Sequence, residues 1–272
     1  MSIVSALIRL AALVALAAVA VLAAGHGMSL LGAVDRVAGR IGPLPRDAVS
    51  LTPAVVAGGL AVGAATATIE PTGRAVGQIV TLLHELGHTL VAAALGAQPA
   101  GIVLRHDASG HATARWHRRA GPVRRLSFAV TAFAGLPAPA VAAAAGAGLL
   151  AVTGPRAVLW SVAGASVAVA LLARSLWSLL VAGGLAGLAV AALADAVQAW
   201  AAGAVVALLG AIAVKAVTDA ARRLFLPIAE GDDARAVQRG VLLPARLVQF
   251  VQVATTAAAG AWTMWQIVAT TS

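Results

Sequence analysis

Long apolar runs recur along this chain, near residues 3–24, 51–69, 75–96, 126–152, 157–173, 175–194, 196–214 and 247–269. In a helix rising 1.5 Å per residue, a run of about 20 residues covers the roughly 30 Å hydrocarbon core of a bilayer. In that solvent each backbone amide must be satisfied within its own segment, so such runs form helices rather than open strands. Composition agrees with this: 61% of the 272 residues are hydrophobic and 11% are charged, against about 25% charged in soluble domains. The expected fold is an all-α polytopic membrane protein with about eight transmembrane helices, in one membrane-embedded domain over residues 1–272. The first run, with its basic start and small residues at Ala23 and Ala24, also fits a cleaved signal peptide. The spans that follow need no separate leader, which favours a helix. Between 157 and 214 only Arg174 and Asp195 interrupt the apolar sequence, so helix boundaries stay open there and a re-entrant or tilted segment also fits.

The charge balance is +9, from 19 basic and 10 acidic residues. With eight alternating helices, only Arg9, Arg74 and Arg156 fall on one side of the membrane, and the other sixteen basic residues fall on the opposite side. Lys and Arg accumulate in cytoplasmic loops. The 97–125 and 215–246 loops are therefore expected in the cytoplasm, and the surplus charge reads as topology rather than as a nucleic-acid footprint. Arg almost to the exclusion of Lys, together with many Ala residues, suggests a GC-rich bacterial genome and hence the bacterial cytoplasmic membrane. There is no cysteine, so a bound metal must take His, Asp or Glu.

The third run contains His84-Glu85-Leu86-Gly87-His88. This is H-E-x-x-H on a helix: residues four apart share one face, so both imidazoles can ligate one zinc ion, with Glu85 beside them to act on a water. The bland alternative is a pair of core histidines hydrogen-bonded across helices. Three ionisable groups in one turn of a membrane helix are costly unless they meet a partner, an ion or water. Thr81 extends the same face and Gln78 lies one turn further back, so the polar stripe is expected to point into the bundle.

Two further features frame this helix. Residues 102–117 alternate apolar and polar around Asp107-Ala108-Ser109-Gly110, which predicts a β-hairpin. Its exposed edge would either pair with an unwound substrate strand or have no catalytic role. His106, His111 and His117 read as surface residues in preference to a second metal site. Pro137 and Pro139 are expected to break the fourth helix, either to admit water or substrate or as a plain kink. Gly183, Gly184 and Gly187 suggest close helix contact.

The sequence resembles the site-2 protease class of intramembrane zinc metallopeptidases, and more closely a compact bacterial branch without a soluble domain. The likeness rests on TLLHELGHTLVAAALG, GIVLRHDASGHATAR, FAGLPAPAV, ARSLWSLLV and GDDARAVQRGVLLPARL, in the family's order over residues 75 to 250. Two positions depart from the branch: Arg174-Ser175 stands where Arg-Asn is often found, and Leu136 where Tyr is usual. The resemblance implies zinc-dependent hydrolysis of a peptide bond within or next to a transmembrane helix, with Glu85 as the catalytic residue. A membrane-protein substrate and the lipid bilayer are the implied partners, and oligomeric state is left open.

A catalytic zinc needs three protein ligands and an open position. In the wider family the third ligand is an Asp at the start of a late helix. LFLPIAEGDDA places Pro227 five residues before Asp232, whereas the compact branch aligns its Asp-Ala pair with Asp233-Ala234. His84, His88 and Asp233 are the expected metal ligands, with Asp232 and then Asp219 as alternatives. A solvated acidic cluster is the bland reading of all three acids. The competing function is a catalytically silent membrane scaffold or regulatory subunit that retains a metal site.

Overall fold

Proline and capping residues set most of the helix boundaries. In the computed structural model, which describes residues 51–116, 121–194 and 198–271, α1 (Pro53–Thr68) starts with proline in its first turn behind the Thr52 hydroxyl, which accepts from the Val55 amide at 3.3 Å. The helices that follow are α2 (Thr72–Ala94), α3 (Pro122–Gly135), α4 (Ala138–Thr153), α5 (Pro155–Leu172), α6 (Leu176–Ala194), α7 (Gln198–Arg223), α8 (Asp233–Val241) and α9 (Ala245–Ala269). A two-stranded antiparallel sheet, β1 (Gln98–Leu104) and β2 (Gly110–Arg115), lies between α2 and α3. The expected helix at 3–24, together with Arg9, Arg36, Arg40, Arg46, His117, Arg118, Arg119 and Asp195, lies outside the described residues.

Among the described residues, α5, α6 and α7 are long and apolar enough to cross a membrane. The count rises to six if each of three bent pairs is one span: α1–α2 at 91°, α3–α4 at 65° and α8–α9 at 119°. Hydrophobic periodicity reports that a helix exists but carries no bend angle. α7 packs on α1, α4 and α9, and α5 packs on α6. Buried Ala140, Ala143, Ala144 and Ala147 line the inner face of α4, where small side chains let helix backbones approach closely.

Two boundaries differ from expectation. α7 continues past 214 to Arg223, so Lys215 and Asp219 lie on a helix and not in a loop. Their ion pair at 2.8 Å, one turn apart, lets the helix carry both charges. The hairpin begins at Gln98 rather than 102 and bends between Pro99 and Gly101.

The outer edge of β1 is taken up by the α5–α6 connection. The Arg174 amide donates to Ile102 O (2.9 Å), the Leu104 amide donates to Ser178 Oγ (2.8 Å), and the Ser175 hydroxyl donates to Leu104 O (2.9 Å). Arg174 Nε donates to Ala100 O at 2.9 Å. At the turn, Gln78 Nε2 donates to Arg105 O and His106 O, both at 3.0 Å, and Thr81 donates to Ala108 O at 2.8 Å. The polar stripe of α2 thus clamps the hairpin tip. Within that tip the Ser109 amide and hydroxyl both donate to Asp107, which holds the Asp107 carboxyl below the usual carboxylate range.

The α3–α4 break falls at the expected prolines. Proline at 137 supplies no amide to Phe133 O, one turn earlier. Gln252 on α9 fills that gap, its Nε2 donating to Phe133 O at 3.2 Å, and Thr256 reaches Leu136 O at 3.5 Å. Both side chains are buried. Gln252→Ala should therefore strand a buried carbonyl and cost about 1–3 kcal/mol, read as a lowered unfolding midpoint in detergent; an unchanged midpoint would show that another group satisfies Phe133.

Candidate metal centre

His84 and His88 lie one turn apart on α2, their rings edge to face with centroids 4.7 Å apart. α8 brings up the third group. Asp232 caps this helix, its Oδ1 accepting from the Ala234 amide at 2.9 Å, so that Asp233 is the first helical residue. Ala234 and Val237 seat α8 against Ala129 and Ala132 of α3 and Val248 of α9. Gly240 permits the approach, because a Cβ there would lie 2.7 Å from that of Ala129. This protein contact lets the polar start of α8 reach the interior of the helix bundle.

Asp233 Oδ2 lies 3.1 Å from His84 Nε2 and Asp233 Oδ1 lies 3.4 Å from His88 Nε2, while the two Nε2 atoms are 3.2 Å apart. Ligand atoms about 2.0–2.1 Å from a tetrahedral zinc stand about 3.3–3.4 Å from one another. The donor set of two imidazole nitrogens and a carboxylate therefore fits zinc in type and spacing. His88 Nδ1 donates to Thr131 O at 2.7 Å. That bond protonates Nδ1 and leaves the Nε2 lone pair pointing at Asp233 and His84, the usual way a protein orients a ligating histidine.

Glu85 is 5% exposed and borders a cavity of about 390 Å³. The cavity runs from Glu70 along α2 to Glu85, between the hairpin tip at Ala108 and Gly110, the α3–α4 break at Leu136 and Pro139, and Lys215, Asp219 and Arg223 of α7. The Glu85 carboxyl faces the backbone of Ala112 on β2. Among the described residues β2 pairs with β1 alone, and α2 packs beside it. A cavity lined in part by charged side chains that reaches Glu85 and His84 can bring water to them.

The other acidic candidates are engaged elsewhere. Asp232 caps α8 and meets Arg223 at 3.4 Å, and Asp219 pairs with Lys215. His106 and His111 are exposed on the hairpin, and among the described residues the one His/Asp/Glu group with ligand spacing is His84, His88 and Asp233. Ser175 is committed to the hairpin through Leu104 O and Ser178. Leu136 puts an apolar wall on the cavity.

Sequence reasoning missed Thr131, whose contribution is a carbonyl and so leaves no side-chain signature. It also missed Gly135. A Cβ there would overlap the His88 ring at Nε2 and Cε1 and approach His84 Cε1 to 2.9 Å. The FAGLPAPAV segment held that signal, a glycine just before a helix break. Gly135→Ala is expected to push the imidazoles apart and lower zinc affinity at least tenfold, with the helical circular dichroism unchanged; wild-type affinity would mean that the rings have room to shift.

Bent helices around a partly buried histidine pair and carboxylate, beside a buried glutamate on a cavity, define a membrane-type protein with a candidate metal centre. Over residues 56–263 the chain matches the family model described as Peptidase M50B-like, and it belongs to that family, in the site-2 protease group. Members of this group are in general zinc metallopeptidases. No curated protein and no solved structure matches the chain significantly.

Proposed function

We propose that this chain is a zinc-dependent endopeptidase that cuts a membrane-protein substrate within or next to a transmembrane helix, in the bacterial cytoplasmic membrane. The observation that carries the reading is the meeting of His84, His88 and Asp233 at ligand spacing beside buried Glu85, with Glu85 and His84 on the wall of a cavity. Those three side chains would hold the metal, which when bound supplies Lewis acidity toward the scissile carbonyl and a water acidified toward neutrality.

Glu85 is the base. Its carboxylate takes the proton of the attacking water and returns it to the leaving amine, as expected of a general acid–base group within hydrogen-bond reach of the reacting atoms. A helical substrate hides its carbonyls in its own hydrogen bonds, so it must unwind first. The edge of β2 that is not paired with β1 offers a place for the unwound strand to pair through its backbone. β1 is occupied by Arg174, Ser175 and Ser178, which leaves β2 as the docking edge, with Ala112 next to Glu85.

Purified protein is to be incubated in detergent with a single-span membrane protein, with and without a zinc chelator. Chelator-sensitive fragments whose masses place the cut in or beside the span are the expected result. Zinc binding without cleavage of any of a panel of such substrates would favour the scaffold reading.

The eight-helix topology, with the hairpin and the 224–244 segment on the cytoplasmic face, belongs to the same proposal. Reporter fusions after Arg119 and Arg235 should report cytoplasm and a fusion at Gly154 the outside; the reverse pattern would refute the orientation.

A further inference from the structure

The most exposed large apolar side chains among the described residues are Leu242, at 89%, and Phe225, at 87%. Neither lies on the outward face of a long helix, where exposure to hydrocarbon is ordinary. Phe225 lies on the turn that closes α7 and Leu242 on the turn that closes α8, the helix whose first residue meets His84 and His88, and Arg246 ties the two places together by donating to Leu224 O at 3.3 Å. Leu242 is also held with φ at +59°, in the left-handed region that favours glycine, and its amide closes α8 onto Gln238 O at 2.8 Å. A bulky residue kept in a costly conformation, yet touching almost nothing of the protein, calls for a partner outside it.

The surrounding charge says which partner. Arg222, Arg239 and Arg246 are exposed around the same two turns. Arg222 reaches Asp219 only at 4.0 Å, and Arg239 reaches Glu230 only at 3.9 Å, contacts worth little at a surface. Exposed apolar side chains within four residues of three exposed guanidinium groups, of which Arg246 is held by Leu224 O and Gln249, match the boundary of an anionic leaflet, with hydrocarbon below and phosphate above. We propose that Phe225 and Leu242 insert into an anionic lipid leaflet and so hold α8 in the position that presents Asp233 to the histidine pair. The membrane surface then adds to the packing of α8 on α3 and α9, and lipid headgroup charge regulates how firmly Asp233 is held.

The chain has no cysteine, so Phe225→Cys and Leu242→Cys each give a single labelling site for a fluorophore. In nanodiscs of phosphatidylcholine with phosphatidylglycerol, both labels should be quenched by brominated lipid and shielded from iodide. In pure phosphatidylcholine, or in high salt, iodide quenching should rise at least twofold. Accessibility to iodide in both lipids overturns the proposal, as does shielding that does not depend on headgroup charge. Shielding that appears only when a membrane-protein substrate is added assigns the patch to a protein partner and also overturns it.

The link to zinc rests on Asp233 being a ligand, as proposed above; the label measurement does not, so the two failures are distinguishable. Phe225→Ser/Leu242→Ser should weaken zinc about tenfold in anionic nanodiscs and leave the melting temperature in detergent unchanged, since neither side chain is buried. Leu242→Gly separates anchoring from local stability. It relieves the left-handed strain and should raise the melting temperature, yet it should still loosen zinc in anionic nanodiscs; zinc affinity equal to or tighter than wild type there would overturn the anchoring role.

Discussion

Glu85→Gln is expected to retain stoichiometric zinc and lose peptide hydrolysis by about 10²–10⁴-fold, the usual worth of a general acid–base group. The glutamine keeps the size and the polarity of the buried side chain but has no site for the proton taken from water. His84→Ala and His88→Ala should instead lose the metal, because each removes a nitrogen from the cluster that Asp233 completes. Metal analysis of purified protein, run beside a cleavage assay, separates the two kinds of loss. Equal zinc in all three variants and the wild type would sink the ligand assignment, and full activity in Glu85→Gln would remove the base.

The second large effect concerns the adjacent aspartates. Asp233→Ala should weaken zinc by orders of magnitude, since it deletes both a ligand atom and the negative charge that offsets the metal in a poorly solvated site. Asp232→Ala removes the cap of α8, a loss of about 1 kcal/mol, and should loosen zinc by less than about tenfold through displacement of Asp233. Asp232→Asn, which can still accept from the Ala234 amide, should behave almost as wild type. Asp219→Ala should leave zinc in place, because its contacts are with Lys215 and Arg222. Protons compete with the metal for the same nitrogens and oxygens, so the zinc affinity of the wild type should fall as pH is lowered. Loss of zinc in Asp232→Ala with retention in Asp233→Ala would move the ligand by one residue.

The H-E-x-x-H turn, the apolar runs, the hairpin around Asp107 and the proline break at 137 were all legible in the linear sequence. Each is a local pattern whose physics acts over a few neighbouring residues: helical spacing puts His84 and His88 on one face, alternation makes a strand, and a missing amide breaks a helix. Long-range contacts were not legible in this way. Asp232 and Asp233 are equivalent in composition and differ only in which one falls at the cap and which one falls in the first turn of α8. That in turn depends on how α8 seats against α3 and α9.

The same holds for α7, where Lys215 and Asp219 read as loop charges until the helix pairs them, and for the three bent helix pairs, whose angles no periodicity encodes. Sequence alone determined the chemistry available to this protein, a zinc-type donor pair with a glutamate on an apolar helix, because that chemistry is written in residue types at helical spacing. Only the tertiary structure decided which carboxylate faces the histidines, which hairpin edge the α5–α6 connection covers and which carbonyl orients His88. Those outcomes depend on the packing of segments some 40 to 150 residues apart in the chain, and such packing has no local signature.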